Sequence, residues 1–174
     1  EISGWLRFDG VKGSKGDVLK VEYVSESPVG TQSYIFGEGD CNDYAPKFTW
    51  YVFRKAIITG VELKRENVIA EVVNTDVRVN SEFTTSNPLL NTINTIWRRS
   101  LEDNLHGGVM SDCPHREKSP YTGDGQVCCE TVMANYDCYT FYHKWLRDMR
   151  DAQNVNTGYV PNSAPWQPGC GGGP

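Results

Sequence analysis

The residues able to do chemistry crowd into one short segment. In SDCPHREKSPYTGDGQ, residues 111–126, three carboxylates (Asp112, Glu117 and Asp124) stand with Cys113, His115 and Arg116. Pro114, Pro120, Gly123 and Gly125 break the same stretch, which excludes a regular helix through most of it. Such a group of carboxylates permits glycoside hydrolysis. One carboxyl must stay protonated near neutral pH to hand a proton to a leaving oxygen, and another must be ionised to activate water or attack carbon. A like charge nearby raises the pKa of one member, and burial raises it further. On that rule Glu117 is the candidate acid, with Asp112 and Asp124 as neighbours. Arg116 opposes the shift if it points at Glu117, and helps if it holds Asp112 or a sugar hydroxyl. The bland alternative is a solvated network of caps and paired charges. Against it, Asp112 and Glu117 flank the rigid Cys113-Pro114 pair. The segment also lies between two expected helices, where a simple connection needs only about 2–8 residues. Long ordered loops on a scaffold tend to hold function.

Other chemistry is less well supported. His106 and His115 find no third partner at a spacing that would make Cys113 a nucleophile. Cys113 beside Pro114 therefore reads as a packed thiol, and His115 as a hydrogen-bonding loop residue. The six cysteines, Cys41, Cys113, Cys128, Cys129, Cys138 and Cys170, form no CxxC pair and no Cys/His spacing of a zinc site. Adjacent Cys128 and Cys129 fall in a helical pattern and read as small core residues rather than as part of a disulfide framework. No metal or cofactor is implied. Trp166, in APWQPG, either stacks on a sugar face or anchors its loop. Trp5, Trp50, Trp97 and Trp145 fall in strand or helix patterns and read as core. GCGGGP lacks the Lys-Ser/Thr and the following helix of a phosphate loop, and reads as a place for close backbone approach.

The elements that must position the loop follow from periodicity. GDVLKVEYVSE sets Leu19, Val21 and Tyr23 against Lys20 and Glu22, the alternation of a half-buried strand. KFTWYVFRKAIITGV and VIAEVVNTDVRV continue in the same β-branched and aromatic habit, with glycine-containing turns between the runs. Short strands separated by turns predict an antiparallel sandwich. At TTSNPLLNTINTIWRRSLEDNL the pattern changes. Asn87 is a candidate N-cap with Pro88 at the first helical position, and Leu90, Ile93, Trp97 and Leu101 recur at helical spacing. A second helix is expected from about Gly123 or Asp124, where Asp124 would complement the positive helix end. A third covers DCYTFYHKWLRDMRDAQ, and the chain beyond Gln153 reads as loop.

The composition fits this reading. A chain of 174 residues can bury roughly 70% of its unfolded surface, enough for one large domain or two small ones. Net charge is -5 and the basic residues are scattered, which disfavours nucleic acid or an anionic membrane as partner. No apolar run is long enough to span a bilayer, and EISGWLRFDG carries no signal-peptide pattern. A neutral carbohydrate suits the acidic balance. Compartment and oligomeric state stay open.

At this point the residues carry a resemblance. SDCPHREKSPYTGDGQ resembles the signature loop of the bacterial α-L-rhamnosidases, glycoside hydrolases with an (α/α)6 barrel, in which Asp-Cys-Pro-x-Arg-Glu is followed by an aromatic and then Gly-Asp-x-Gln. SGWLRFDGVKGSKGDVLKVEYVSE is similar to a sandwich strand pair that precedes the barrel, and FTWYVFRKAIITG to the next paired strands. SNPLLNTINTIWRRSLEDN resembles the first barrel helix, FYHKWLRDMRDAQ a later one, and GYVPNSAPWQPGCGGG a substrate-side loop. The resemblance implies that Glu117 is the general acid. It implies that Asp112 and Asp124 hold hydroxyls of the rhamnose ring, that Arg116 joins the same polar cluster, and that Tyr121 stands where many members carry Trp. It also implies inversion of the anomeric centre, with a general base on a later segment. Lys118-Ser119-Pro120 departs from the more usual basic-Leu-Gly step.

The expectation is therefore a piece of a longer rhamnosidase-like hydrolase. Residues 1–82 would belong to an antiparallel β-sandwich, incomplete at its start. Residues 83–174 would form the first helices of an (α/α)6 barrel that this chain does not complete. Three helices with wide apolar stripes also predict poor solubility for these residues in isolation. A non-catalytic carbohydrate-binding protein and a related glycosidase acting on another sugar are the rivals.

Overall fold

The computed structural model describes residues 1–168. The readings made for Cys170 and the closing glycines lie outside the described residues. The chain divides into two compact units, Glu1–Val73 and a second that begins at Asn74.

The first unit is built from two three-stranded antiparallel sheets. One pairs β1 (Ile2–Phe8) with β4 (Tyr51–Phe53) and β6 (Val68–Val72). The other pairs β2 (Val18–Val24) with β3 (Pro28–Ile35) and β5 (Lys55–Thr59). The alternation of β2 places Leu19, Val21 and Tyr23 wholly inside. There they meet Leu6 and Phe8 of β1 and Phe53 of β4, so the two sheets share one core. Buried polar groups within that core are matched. The Tyr23 hydroxyl accepts from the Leu6 N–H at 2.9 Å and donates to Gln32, whose amide donates to Leu6 O at 3.3 Å. The aromatic run beginning at Lys47 is not one strand. It divides at Arg54 into β4 and β5, which join different sheets. The expected pairing of the first two strands is likewise corrected: β1 and β2 lie in different sheets and meet through their buried faces.

The second unit opens with β7 (Arg78–Val79), which pairs antiparallel with β10 (Tyr136–Asp137). That pairing draws the residues after Val73 into the helical unit, so the units divide earlier than the change of pattern at residue 82. Helix α1 (Pro88–Asn104) starts as its cap predicts: the Asn87 side chain accepts from the Leu89 N–H at 3.0 Å. A hairpin that periodicity did not suggest follows, β8 (Leu105–His106) and β9 (Val109–Met110). Gly107 and Gly108 turn it with φ of 62° and 71°, a geometry that favours glycine. Helices α2 (Thr122–Asn135) and α3 (Tyr139–Asp151) complete the unit. Leu101, Leu105, Met110, Val132, Tyr136, Phe141 and Trp145 form its core.

Among the tryptophans read as core, only Trp145 is fully buried. Trp97 lies at the core's edge, and half-buried Trp5 donates its indole N–H to Glu71 at 2.7 Å. The apolar stripe of α1 is covered only at its C-terminal end. Leu89, Ile93 and Ile96 are 64%, 53% and 58% exposed, and Val127 and Leu146 on the other helices are exposed too. Among the described residues no helix is long and apolar enough to cross a membrane.

Gly125 lies in the first turn of α2, and a Cβ built there would stand 2.2 Å from Cη2 of Trp145. Gly125→Ala should therefore cost about 1–3 kcal/mol through overpacking, read as a lowered denaturation midpoint at unchanged m-value; a neutral substitution would show that Trp145 has room to move. The bare helix faces predict that the 174-residue chain alone self-associates, and a monodisperse monomer in light scattering would contradict this.

Candidate active site

The loop between β9 and α2 is folded by its own main chain. The Asp112 N–H donates to Ser119 O at 3.1 Å, closing the segment on itself. Inside that closure, the Arg116 and Lys118 N–H groups both donate to Cys113 O, at 3.3 and 3.1 Å. Lys118 adopts φ 55°, left-handed backbone that a non-glycine residue seldom takes. The closure carries Glu117 back to Asp112, within reach of a carboxyl–carboxyl hydrogen bond. Burial pushes the Lys118 amine below its ordinary value. Nearby His106 is pushed down to about 4, first by burial and then by the Lys118 charge.

Of the residues singled out in the sequence, the fold brings Asp112 and Asp124 to one small cavity of about 180 Å³. Trp97, Leu101, Met110 and Cys128 supply its apolar lining. Asp112 Oδ1 is buried without a hydrogen-bond partner, a state that asks for a donor. Asp124 is exposed in the first turn of α2, and Tyr121 is the residue before that helix, joined by a β-bridge to Ser163. Trp166 does not line the Asp112 cavity. It is 38% exposed and faces a separate depression with Asp148, Asp151 and Gln153. Cys113 is half-buried and His115 exposed.

The electrostatics run against the expectation for Glu117. Arg116 clasps it with two hydrogen bonds, Nε to Oε2 and Nη2 to Oε1 at 3.1 Å. This clasp holds the Glu117 carboxyl down to about 2. Asp112 moves the other way, raised first by burial and then by the neighbouring Glu117. Here Glu117 is the ionised member of the pair, and Asp112 is the one closer to holding a proton.

Sequence reasoning missed the pair that ties the loop down, one residue inside it and one beyond it. Ser119 is fully buried, and Gln167 donates to it and to the Glu117 carbonyl. Neither residue type carries a signal at its position.

With this geometry in view, the comparisons with known proteins are decisive. Residues 78–173 match the bacterial alpha-L-rhamnosidase 6 hairpin glycosidase domain. The chain belongs to this family. An alpha-L-rhamnosidase of Formosa agariphila is 39% identical over 116 residues, which is 66% of this chain and 12% of that protein. One from an Alteromonas species is 29% identical over a stretch covering 87% of this chain and 17% of its own length. The alpha-L-rhamnosidase structure from Dictyoglumus thermophilum superposes with a TM-score of 0.83 at 28% identity, covering 94% of this chain and 20% of that one. The Streptomyces avermitilis enzyme complexed with L-rhamnose gives 0.79 at 28% identity over 95% of this chain and 17% of that one. The chain thus spans a small part of the rhamnosidases it matches. Antiparallel sheets followed by helices are the arrangement it shares with those structures.

Because Arg116 is the largest cause of the low Glu117 pKa, Arg116→Leu should raise it toward the ordinary carboxylate range. Difference infrared titration, with Glu117→Gln as blank, would follow the shift. A Glu117 that already titrates at its ordinary value in the unsubstituted protein would mean that the clasp does not form in solution.

Proposed function

We propose that the intact protein removes terminal α-L-rhamnose from glycans or glycosides by direct attack of water with inversion, and that Glu117 protonates the departing oxygen. The observation that carries this reading is the loop closure that sets Glu117 beside Asp112, with Asp112 and Asp124 sharing one cavity. Glu1–Val73 would be the sandwich part, and the residues from Asn74 the opening helices of the (α/α)6 barrel.

The nearness of Asp112 to Glu117 supports a division of labour between them. An inverting pair stands roughly 6.5–9.5 Å apart to leave room for water, and a retaining pair about 5–5.5 Å. On this reading Asp112 lies nearer to Glu117 than the second catalytic carboxyl of either scheme would. Its buried, unpartnered Oδ1 suits a sugar hydroxyl instead, and Asp124 offers a second acceptor at the same cavity. The general base then comes from a segment outside these residues. Arg116 must leave Glu117 for the acid to hold a proton, and a bound sugar whose hydroxyl competes for the guanidinium would bring that about. Tyr121 and Trp166 are proposed as sugar-facing aromatics at the margins of the site.

Glu117→Gln in the intact protein should lower hydrolysis of an aryl α-L-rhamnoside by about 10²–10⁴-fold with an unchanged melting transition. Rhamnose binding without any hydrolysis by the unsubstituted protein would replace the enzyme reading with a carbohydrate-binding one. Cleavage of a different aryl glycoside in a screen would keep the loop chemistry and change the sugar.

A further inference from the structure

We propose that Gln167 is a positioning residue for Glu117: its side-chain amide fixes the main chain of the carboxylate loop through a strap that Trp145 anchors. The inference rests on the reading of Glu117 given above and deepens it.

The strap is residues 161–167. It lies along the end of the loop with main-chain hydrogen bonds in both directions. The Thr122 N–H donates to Asn162 O at 2.9 Å, and the Ala164 N–H donates to Pro120 O at 3.1 Å. Tyr121 and Ser163 form the bridge between these contacts. On its other side the strap is tied to the core, since the buried Trp145 indole donates to Ala164 O at 2.6 Å. Pro161, Ser163 and Ala164 are buried, so the strap is part of the packed unit rather than a loose tail.

Gln167 extends this grip to the catalytic stretch. Its Nε2 donates to Ser119 Oγ at 2.5 Å and to Glu117 O at 3.3 Å. An amide nitrogen has two protons, and both find an acceptor here. The two acceptors stand on either side of Lys118, the residue with left-handed backbone. A non-glycine residue in that region is strained and persists only where its surroundings over-determine it. Gln167 supplies that constraint at the point where release would let Glu117 drift.

The consequence for chemistry is positional. A general acid must come within about 2.6–3.2 Å of the oxygen it protonates. Glu117 must also exchange Arg116 for substrate with its side chain alone. A held main chain makes the swing reproducible, and a displacement of about 1 Å can cost roughly 10²-fold in rate.

The test compares the intact protein with Gln167→Met, which keeps length and loses both donors, and with Ser119→Ala, which removes one acceptor. Deuterium exchange in the peptide covering residues 112–122 should quicken about fivefold in Gln167→Met and less in Ser119→Ala. Unchanged protection in both would overturn the strap. On an alkyl rhamnoside, whose departure needs a proton, kcat should fall about tenfold with KM within twofold. On a dinitrophenyl rhamnoside, whose departure does not, kcat should change less than about twofold. Equal losses on both substrates would assign Gln167 to packing and overturn its role toward the acid. If the unsubstituted protein hydrolyses neither substrate, the rhamnosidase reading fails, and the exchange experiment alone decides the strap.

Discussion

Trp145 is 1% exposed, its indole N–H sits 2.6 Å from Ala164 O, and its six-membered ring covers Gly125 with no room for a Cβ. Those contacts tie together the middle of α3, the first turn of α2 and the strap that runs along the carboxylate loop. A tryptophan suits this post because it offers a large apolar face and one donor, and a buried indole N–H needs a partner. Removing the side chain would therefore loosen more than a core position. The start of α2, which carries Asp124, and the strap, which carries Gln167, would lose their common support together. The position of the site thus depends on ordinary packing one layer behind it.

In front of that layer the decisive quantity is which partner Glu117 has. Arg116 is adjacent in sequence, and its planar fork matches a carboxylate. The clasp is correspondingly tight and keeps Glu117 ionised. Asp112 takes the opposite course because it is partly buried and faces a like charge. Two neighbouring carboxyls are thus driven apart in proton affinity, as two distinct roles require, but in the sense opposite to the one proposed for Glu117. Glu117 is the ionised member and Asp112 the one raised toward holding a proton, the reverse of what the acid role needs. On the proposed reading a bound sugar would reverse that order, because its hydroxyl groups could compete for Arg116 and satisfy Asp112 at the same time.

Much of this was legible in the residues. Asn87-Pro88 announced the start of α1, and the alternation of Leu19, Val21 and Tyr23 announced β2, because both are local signals that tertiary structure left in place. The loop motif named Asp112, Glu117 and Asp124 together. What escaped was non-local or very short. Sheet membership on either side of Arg54 is decided by partners far along the chain, so the two strands expected as a pair lie in different sheets. The strands around Gly107-Gly108 have two residues each, too few for alternation to register, although the glycine pair is itself a turn signal. The direction of Arg116 is a rotamer choice that spacing does not encode. The exposed stripe of α1 did not escape, since three helices with wide apolar faces were expected to leave those faces uncovered.

These layers divide the work between main chain and side chains. Lys118 holds a left-handed conformation that is unfavourable by itself, and the closure from Asp112 to Ser119 makes it the price of bringing Glu117 back to Asp112. A strained turn of this kind relaxes unless something outside it resists. Gln167 and the strap provide that resistance through hydrogen bonds to main-chain and buried groups, so it does not depend on the state of any charge in the site. Arg116, by contrast, is exposed, so its contact with Glu117 is open to screening by solvent. The stiff parts of the site are therefore uncharged and buried, and the exchangeable part is charged and at the surface. On the proposed reading, that separation would let Glu117 change partners without the loop changing shape.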